Sequence, residues 1–185
     1  MPIRQPAAPG RRTGRRYHRP VTSDSPDHPS DHSWHEWFEL TIDAEEGRAG
    51  LRFSCTMCGN CCTGPEGYVL VNDAEVAALA ARLGLSDADF RKQYTHMSVA
   101  GLSLTEKLTP FGRDCIFLDR DKIPGKAVCG VYEDRPRQCR TWPFWKSNLH
   151  SRRHWERAKQ ICPGMDRGTF VPVEEVRIRR SEIEI

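Results

Sequence analysis

The sequence predicts a small, irregular α+β domain, rich in loops and stapled together through its cysteines. Three observations predict it. Thirteen prolines and fourteen glycines among 185 residues, with 38% hydrophobic residues, leave little room for long regular elements. Short alternating runs interleave with stretches of helical periodicity. Eight cysteines are present, and four of them fall inside F-S-C-T-M-C-G-N-C-C, at Cys55, Cys58, Cys61 and Cys62.

Residues 1–33 hold Pro, Arg, Ser, Asp and His and almost no large apolar side chain, so they cannot offset the entropy of ordering and read as a disordered Arg/Pro-rich tail. Arg4, Arg11, Arg12, Arg15, Arg16 and Arg19 lie there with no acid among residues 1–20. The rest of the chain has 22 basic against 25 acidic residues and is mildly acidic. His18, His28, His32 and His35 have a spacing that fits no compact site.

The folded domain is expected over 34–185, with Trp34, Trp37, Phe38 and Leu40 marking its start and a strand over 39–42. Leu51 and Phe53 lead into the cysteine run, which Gly59 and Gly64 mark as a loop with tight turns. A helix is expected over 72–84, capped by Asn72 or Asp73 and ended by Gly84, with Val76, Leu79, Ala80 and Leu83 as its apolar stripe. Ser86 and Asp89 open a second helix that runs to about Tyr94. Residues 102–108 alternate as a strand does. Residues 115–118 and 126–129 read as the arms of a hairpin, which brings Cys115 and Cys129 close together. Pro136 opens a short helix that carries Cys139, and Pro143 bars its continuation. Another helix is expected over 151–161, ending at Cys162-Pro163-Gly164. In 171–185, early Glu174 and Glu175 with later Arg177, Arg179 and Arg180 favour a helix over a strand.

Eight thiols suffice for two four-thiolate centres or for four disulfides. The N-terminal residues show no apolar stretch of signal-peptide length, and no segment approaches the ~18 apolar residues of a membrane span. A cytoplasmic location is therefore expected, where thiols stay reduced and available to metal. Cys55, Cys58, Cys61, Cys62, Cys115, Cys129, Cys139 and Cys162 are the expected ligands of an iron–sulfur cluster or Zn2+. Cys55-x2-Cys58-x2-Cys61 matches the first three ligands of the bacterial ferredoxin run, although Cys62 then follows at once. Side chains of adjacent residues usually diverge, so the Cys61–Cys62 doublet points to two centres or to one larger cluster. One partition gives Cys55, Cys58, Cys61 and a distant cysteine to one site, and Cys62 with the other three to a second.

Arg135, Arg137 and Arg140 flank Cys139 and either balance thiolate charge or form surface ion pairs. Trp142, Phe144 and Trp145 either shield the centre or fill the core. His96, His150 and His154 have no motif context, and H-E-x-x-H, G-x-S-x-G, a phosphate-binding Gly loop and C-x3-C-x2-C are all absent. His150 and His154, four residues apart, read as a solvent-facing pair.

Taken together, C-T-M-C-G-N-C-C, D-C-I-F-L, C-G-V-Y-E-D-R-P-R-Q-C-R-T-W-P-F and C-P-G resemble the YkgJ family, whose C-x-x-C-x-x-C-C domain is described as zinc- or iron-chelating. The resemblance covers roughly residues 50–165 and all eight cysteines. Trp142 departs from it, since the family more often has Phe there. The resemblance implies metal chelation, and the expected protein holds one or two thiolate-ligated centres that serve electron transfer or scaffold a modifying reaction, its protein partner, if any, being unspecified by the sequence. Some relatives are flagellin lysine-N-methylases, longer chains that imply an alternative, a metal-dependent protein-modifying enzyme. A length of 185 residues without a Gly-rich cofactor loop weighs against the enzyme. A zinc module that binds nucleic acid is a second alternative, and the acidic body weighs against it.

Overall fold

A computed structural model describes residues 35–183. The tail expected over 1–33, with His18, His28 and His32, and Trp34 at the start of the domain, lie outside the described residues.

The chain opens with a 3-10 turn over Trp37–Leu40, then β1 (Gly50–Phe53), a 3-10 turn over Asn60–Cys62 and β2 (Thr63–Gly64). Two helices follow, α1 (Asp73–Leu83) and α2 (Asp87–Tyr94). Next come β3 (Thr95–Ser98), β4 (Gly101–Leu104), β5 (Glu106–Thr109), β6 (Gly112–Cys115), β7 (Leu118–Asp119) and β8 (Val128–Cys129). After a 3-10 turn over Tyr132–Asp134, the chain ends with α3 (Arg137–Thr141), α4 (Lys146–Leu149), α5 (Arg152–Lys159), β9 (Met165–Pro172) and α6 (Val173–Ser181). The strands form small antiparallel sheets ordered β1-β9, β2-β6-β5, β3-β4 and β7-β8. The fold is α+β, as the sequence predicts.

Its apolar side chains divide into two cores. One gathers Phe38, Leu51, Phe144, Trp155, Met165 and Val176 between the β1-β9 ribbon and helices α5 and α6. The other gathers Val76, Leu79, Phe90, Leu104 and Val131 around α1 and α2, with Phe90, Tyr94 and Phe117 stacked ring on ring. Cys162 belongs to the first core, while Cys115 and Cys129 pack against the second. The cysteines thus lie where the two cores meet.

Helix α1 follows its local code. Asn72 accepts a hydrogen bond from Glu75 N at 2.9 Å and its own N–H donates to the Glu75 carboxylate at 2.9 Å, a reciprocal capping box. Gly84 ends the helix at φ 67°. Val76, Leu79 and Ala80 are buried, but Leu83 at the helix end is exposed. Ser86 caps α2 through Asp89 N at 3.1 Å.

Elsewhere tertiary contacts reshape the local pattern. The strand expected over 39–42 is instead the Trp37–Leu40 turn, and Ile42 makes only an isolated bridge to Ala49. A strand would send Trp37 and Phe38 to opposite faces. The turn lets Phe38 enter the first core with Trp37 edge-on to it at 5.6 Å. Residues 102–108 are not one strand. The chain breaks at Thr105, whose N–H donates to Tyr94 O at 2.8 Å, so β4 pairs with β3 and β5 with β6. In the C-terminal stretch both forms occur, with 171–172 in β9 and a helix from Val173 onward. Residues 146–149 add a helix, α4, that the pattern does not announce.

Removing the cap by Asn72→Ala is expected to cost about 1 kcal/mol in denaturant unfolding. A pH test applies to the clip between the opening turn and α6. Burial alone raises the Glu36 carboxyl, but hydrogen bonds and charge from Arg177 and Arg180 hold it below its ordinary 4.5. A carboxyl depressed in the folded state stabilises above its ordinary value and loses that contribution as pH falls through the folded value. Glu36→Gln should therefore lower the unfolding midpoint at neutral pH, and the gap to the parent should close as pH drops below 4.5.

Candidate metal centre

Strand β1 carries the chain into the cysteine run, and two hydrogen bonds sew that run onto residues 161–164. Ser54 N donates to Gly164 O at 3.2 Å, and the Asn60 side-chain amide donates to Ile161 O at 2.8 Å. Between them the backbone turns sharply, with Met57 at φ 55° and Gly59 at φ 79°. Gly59 is needed twice over. Its φ is left-handed, and a Cβ there would lie 2.6 Å from the Ala127 methyl. That closeness is fixed by Ala127 N, which donates to Met57 O at 2.8 Å. The Asn60–Cys62 turn then closes through Cys62 N to Gly59 O at 2.9 Å.

This turn brings the Cys61 and Cys62 sulfurs to 3.7 Å. The expected divergence of the doublet therefore does not occur. Successive side chains on a 3-10 turn lie about 120° apart, closer than the opposite faces to which an extended strand sends them.

The other four cysteines arrive from separate elements. Cys115 ends β6, and the register Thr63↔Asp114 continued by one step sets Cys62 opposite Cys115. Cys129 ends β8 across from Leu118. The hairpin is narrower than expected, since Cys115 lies outside it and pairs instead with Glu106 of β5. Cys139 rides on α3. Its neighbour Gln138, which is buried, accepts from Leu70 N at 2.8 Å and donates to Tyr68 O at 2.9 Å, pinning that helix to the chain before α1. Cys162 is buried and its sulfur accepts the Trp142 indole N–H at 3.3 Å.

All eight cysteines line one cavity of about 460 Å³. Phe53, Trp142 and Trp145 wall it from the first core, and Leu104, Phe117 and Val131 from the second. The Thr56 hydroxyl also lines it, buried and without a hydrogen-bond partner among the described residues. Soft donors around a partly open cavity and an orphaned polar atom fit a thiolate-bound metal group. As the side chains stand, no three Cys, His, Asp or Glu among the described residues are grouped closely enough to hold one metal ion. His150 and His154 pack ring to ring at 5.0 Å, His154 contacts the Ser151 cap of α5, and neither lines the cavity. His96 is exposed on β3.

Burial pushes the Cys139 thiol up strongly and the Cys115 thiol to about 11. The hydrogen bond to Cys61 and burial push Cys62 up, while the same hydrogen bond pulls Cys61 down to about 7. Without metal, therefore, most of these sulfurs keep their protons at neutral pH, and metal entry must release them.

Cationic neighbours divide as follows. Arg135 lines the cavity, with its Nε donating to Tyr132 O at 2.9 Å and its guanidinium over the Tyr132 ring. Arg137 turns away to Glu75, 3.8 Å distant, and Arg140 is exposed outside the cavity. A fourth cation was not foreseen. Arg120 grips the buried Asp114 carboxylate through Nε at 2.8 Å and Nη2 at 2.9 Å, and donates to Thr63 Oγ1 at 2.6 Å. Thr63 follows Cys62 and Asp114 precedes Cys115, so this clamp fixes the very ladder that presents both cysteines. A single sequence offers no signal for it, because the three residues are far apart in the chain and individually ordinary.

Eight thiols from a loop, two strand ends, a helix and a helix-following turn define a cysteine-cluster protein. The chain belongs to the CxxCxxCC family, described as "Putative zinc- or iron-chelating domain", which matches residues 54–163. The family resemblance carried by the cysteine motifs is thereby borne out, and metal binding follows from it at the level of zinc or iron. No solved structure matches the chain.

Asp114→Ala, which strands a half-buried guanidinium, is expected to cost about 3–5 kcal/mol in denaturant unfolding. Arg82→Ala, at the more exposed pair with Asp134, should cost under about 1 kcal/mol.

Proposed function

We propose that the chain holds two abutting thiolate-bound metal centres and uses them for electron exchange with a protein partner. The observation that carries this reading is that all eight thiols line one cavity. A tetrahedral ion takes four sulfurs at about 2.3 Å, hence about 3.8 Å from one another. Eight sulfurs around about 460 Å³ exceed what one such ion requires.

The partition follows the backbone. Cys55, Cys58 and Cys61 group with Cys162, supported by the hydrogen bonds of Ser54 to Gly164 and Asn60 to Ile161. Cys62 groups with Cys115, Cys129 and Cys139, supported by the β2-β6 ladder and by Gly130 N, which donates to Phe117 O at 2.8 Å and folds Cys129 toward Cys115. The 3.7 Å contact between Cys61 and Cys62 joins the groups. Iron–sulfur chemistry is favoured over zinc for the first group by its C-x2-C-x2-C spacing. Cys55 and Cys61 reach solvent, which gives electrons a short path to the surface.

Iron, zinc and acid-labile sulfide analysis of anaerobically purified protein tests the reading. The parent should hold at least two metal atoms per chain, and Cys162→Ser and Cys115→Ser should each lose roughly half of them. Less than one equivalent of iron plus zinc per chain would sink it.

A further inference from the structure

A second space opens beside the cysteine cavity. It is a groove of about 550 Å³ between α3 on one side and β9 with α6 on the other. Cys55, Cys61 and Cys139 line both the groove and the cavity, so three thiols form the wall between them.

The groove is built for an anion with an organic body. Arg135, Arg140 and Arg179 line it, against Glu175 and Glu182. Arg179 is spent on Glu175, with Nε donating at 2.8 Å. Among the described residues that line the groove, Arg135 and Arg140 then face one further carboxylate, Glu182, exposed at the end of α6. Among the described residues Arg140 has no hydrogen-bonded or ion-paired side-chain partner, and Arg135 has no carboxylate partner. Two guanidiniums without carboxylates, beside a thiol wall, present donors in the planar fork that matches carboxylate or phosphate oxygens. Trp142, Phe170, Val171 and Pro172 supply an apolar flank.

Charge balance for the thiolates does not account for Arg140. Arg140 lies outside the cysteine cavity, which Arg135 lines, while Arg120 is held by Asp114 and Thr63. We propose that the groove is an oxyanion subsite of the metal centre. A small molecule bearing a carboxylate or phosphate seats its charged end on Arg135 and Arg140 and lies along the Cys55, Cys61 and Cys139 wall. The inference rests on the metal reading above, because that wall is part of the proposed ligand set.

Calorimetry on the metal-loaded full chain tests it, with inorganic phosphate and malonate as probes at constant ionic strength. At least one probe should bind saturably. Arg140→Gln should weaken that binding roughly tenfold or more while metal content stays at the parent level. Arg140→Lys should recover part of the loss, and Arg91→Gln, on α2 where it pairs with Asp73, should change nothing. Saturation by phosphate alone or by malonate alone supports the subsite and assigns its charge chemistry. Absence of saturable binding by either probe overturns the subsite, as does binding by Arg140→Gln as tight as the parent's, and both leave the metal reading standing. A parent chain that retains no metal fails the metal reading instead and takes the subsite with it.

Discussion

Eight cysteines lining one partly open cavity set the terms for the whole domain. As thiols they are neutral and sit easily among Phe53, Trp142 and Phe117. As thiolates they lose hydration and repel one another, and burial above all makes Cys115 and Cys139 hold their protons more tightly than a free cysteine, while the hydrogen bond to Cys61 together with burial does so for Cys62. A bound cation removes the conflict, since it supplies the opposite charge at the centre of the ring. Metal bound by these thiols would couple to their protonation and, through them, to the two cores that meet around the cavity.

The rest of the architecture serves to bring those sulfurs together from distant parts of the chain. Each core alone is a modest cluster. The β1-β9 ribbon ties the start of the cysteine run to the segment that follows Cys162. Gln138 ties the Cys139 helix to the strand-like chain at Tyr68 and Leu70. The Asp114–Arg120–Thr63 clamp fixes the β2-β6 ladder next to Cys62 and Cys115. The same feature explains the loop-rich character of the fold, because ligands drawn from so many short elements leave no long one intact.

What could be read from the sequence was whatever is encoded locally. The Asn72–Glu75 box, Gly84 and Ser86 define helices within a few residues, and the structure follows them. The cysteine motifs were legible for a similar reason, since spacing and composition alone mark them. Contacts between distant residues were not legible. Strand β9 contains Gly168 at φ 75° and Asp166 at φ 58°, so its sequence reads as a turn, yet β1 holds it as a bulged strand. Thr105 interrupts an otherwise continuous alternation because two different hairpins claim its two sides. The doublet of Cys61 and Cys62 was misjudged because its geometry depends on Gly59 and Met57 turning the backbone, which residue identity suggests only for the glycine.

We hold centrally that the eight thiols surround two abutting sulfur-ligated centres, at least one of them polynuclear. X-ray absorption at the edge of the bound metal tests it most directly. The account predicts a first shell of sulfur alone at about 2.3 Å, with a second metal in the next shell. A first shell dominated by nitrogen or oxygen, or a sulfur shell with no metal beyond it, would contradict it.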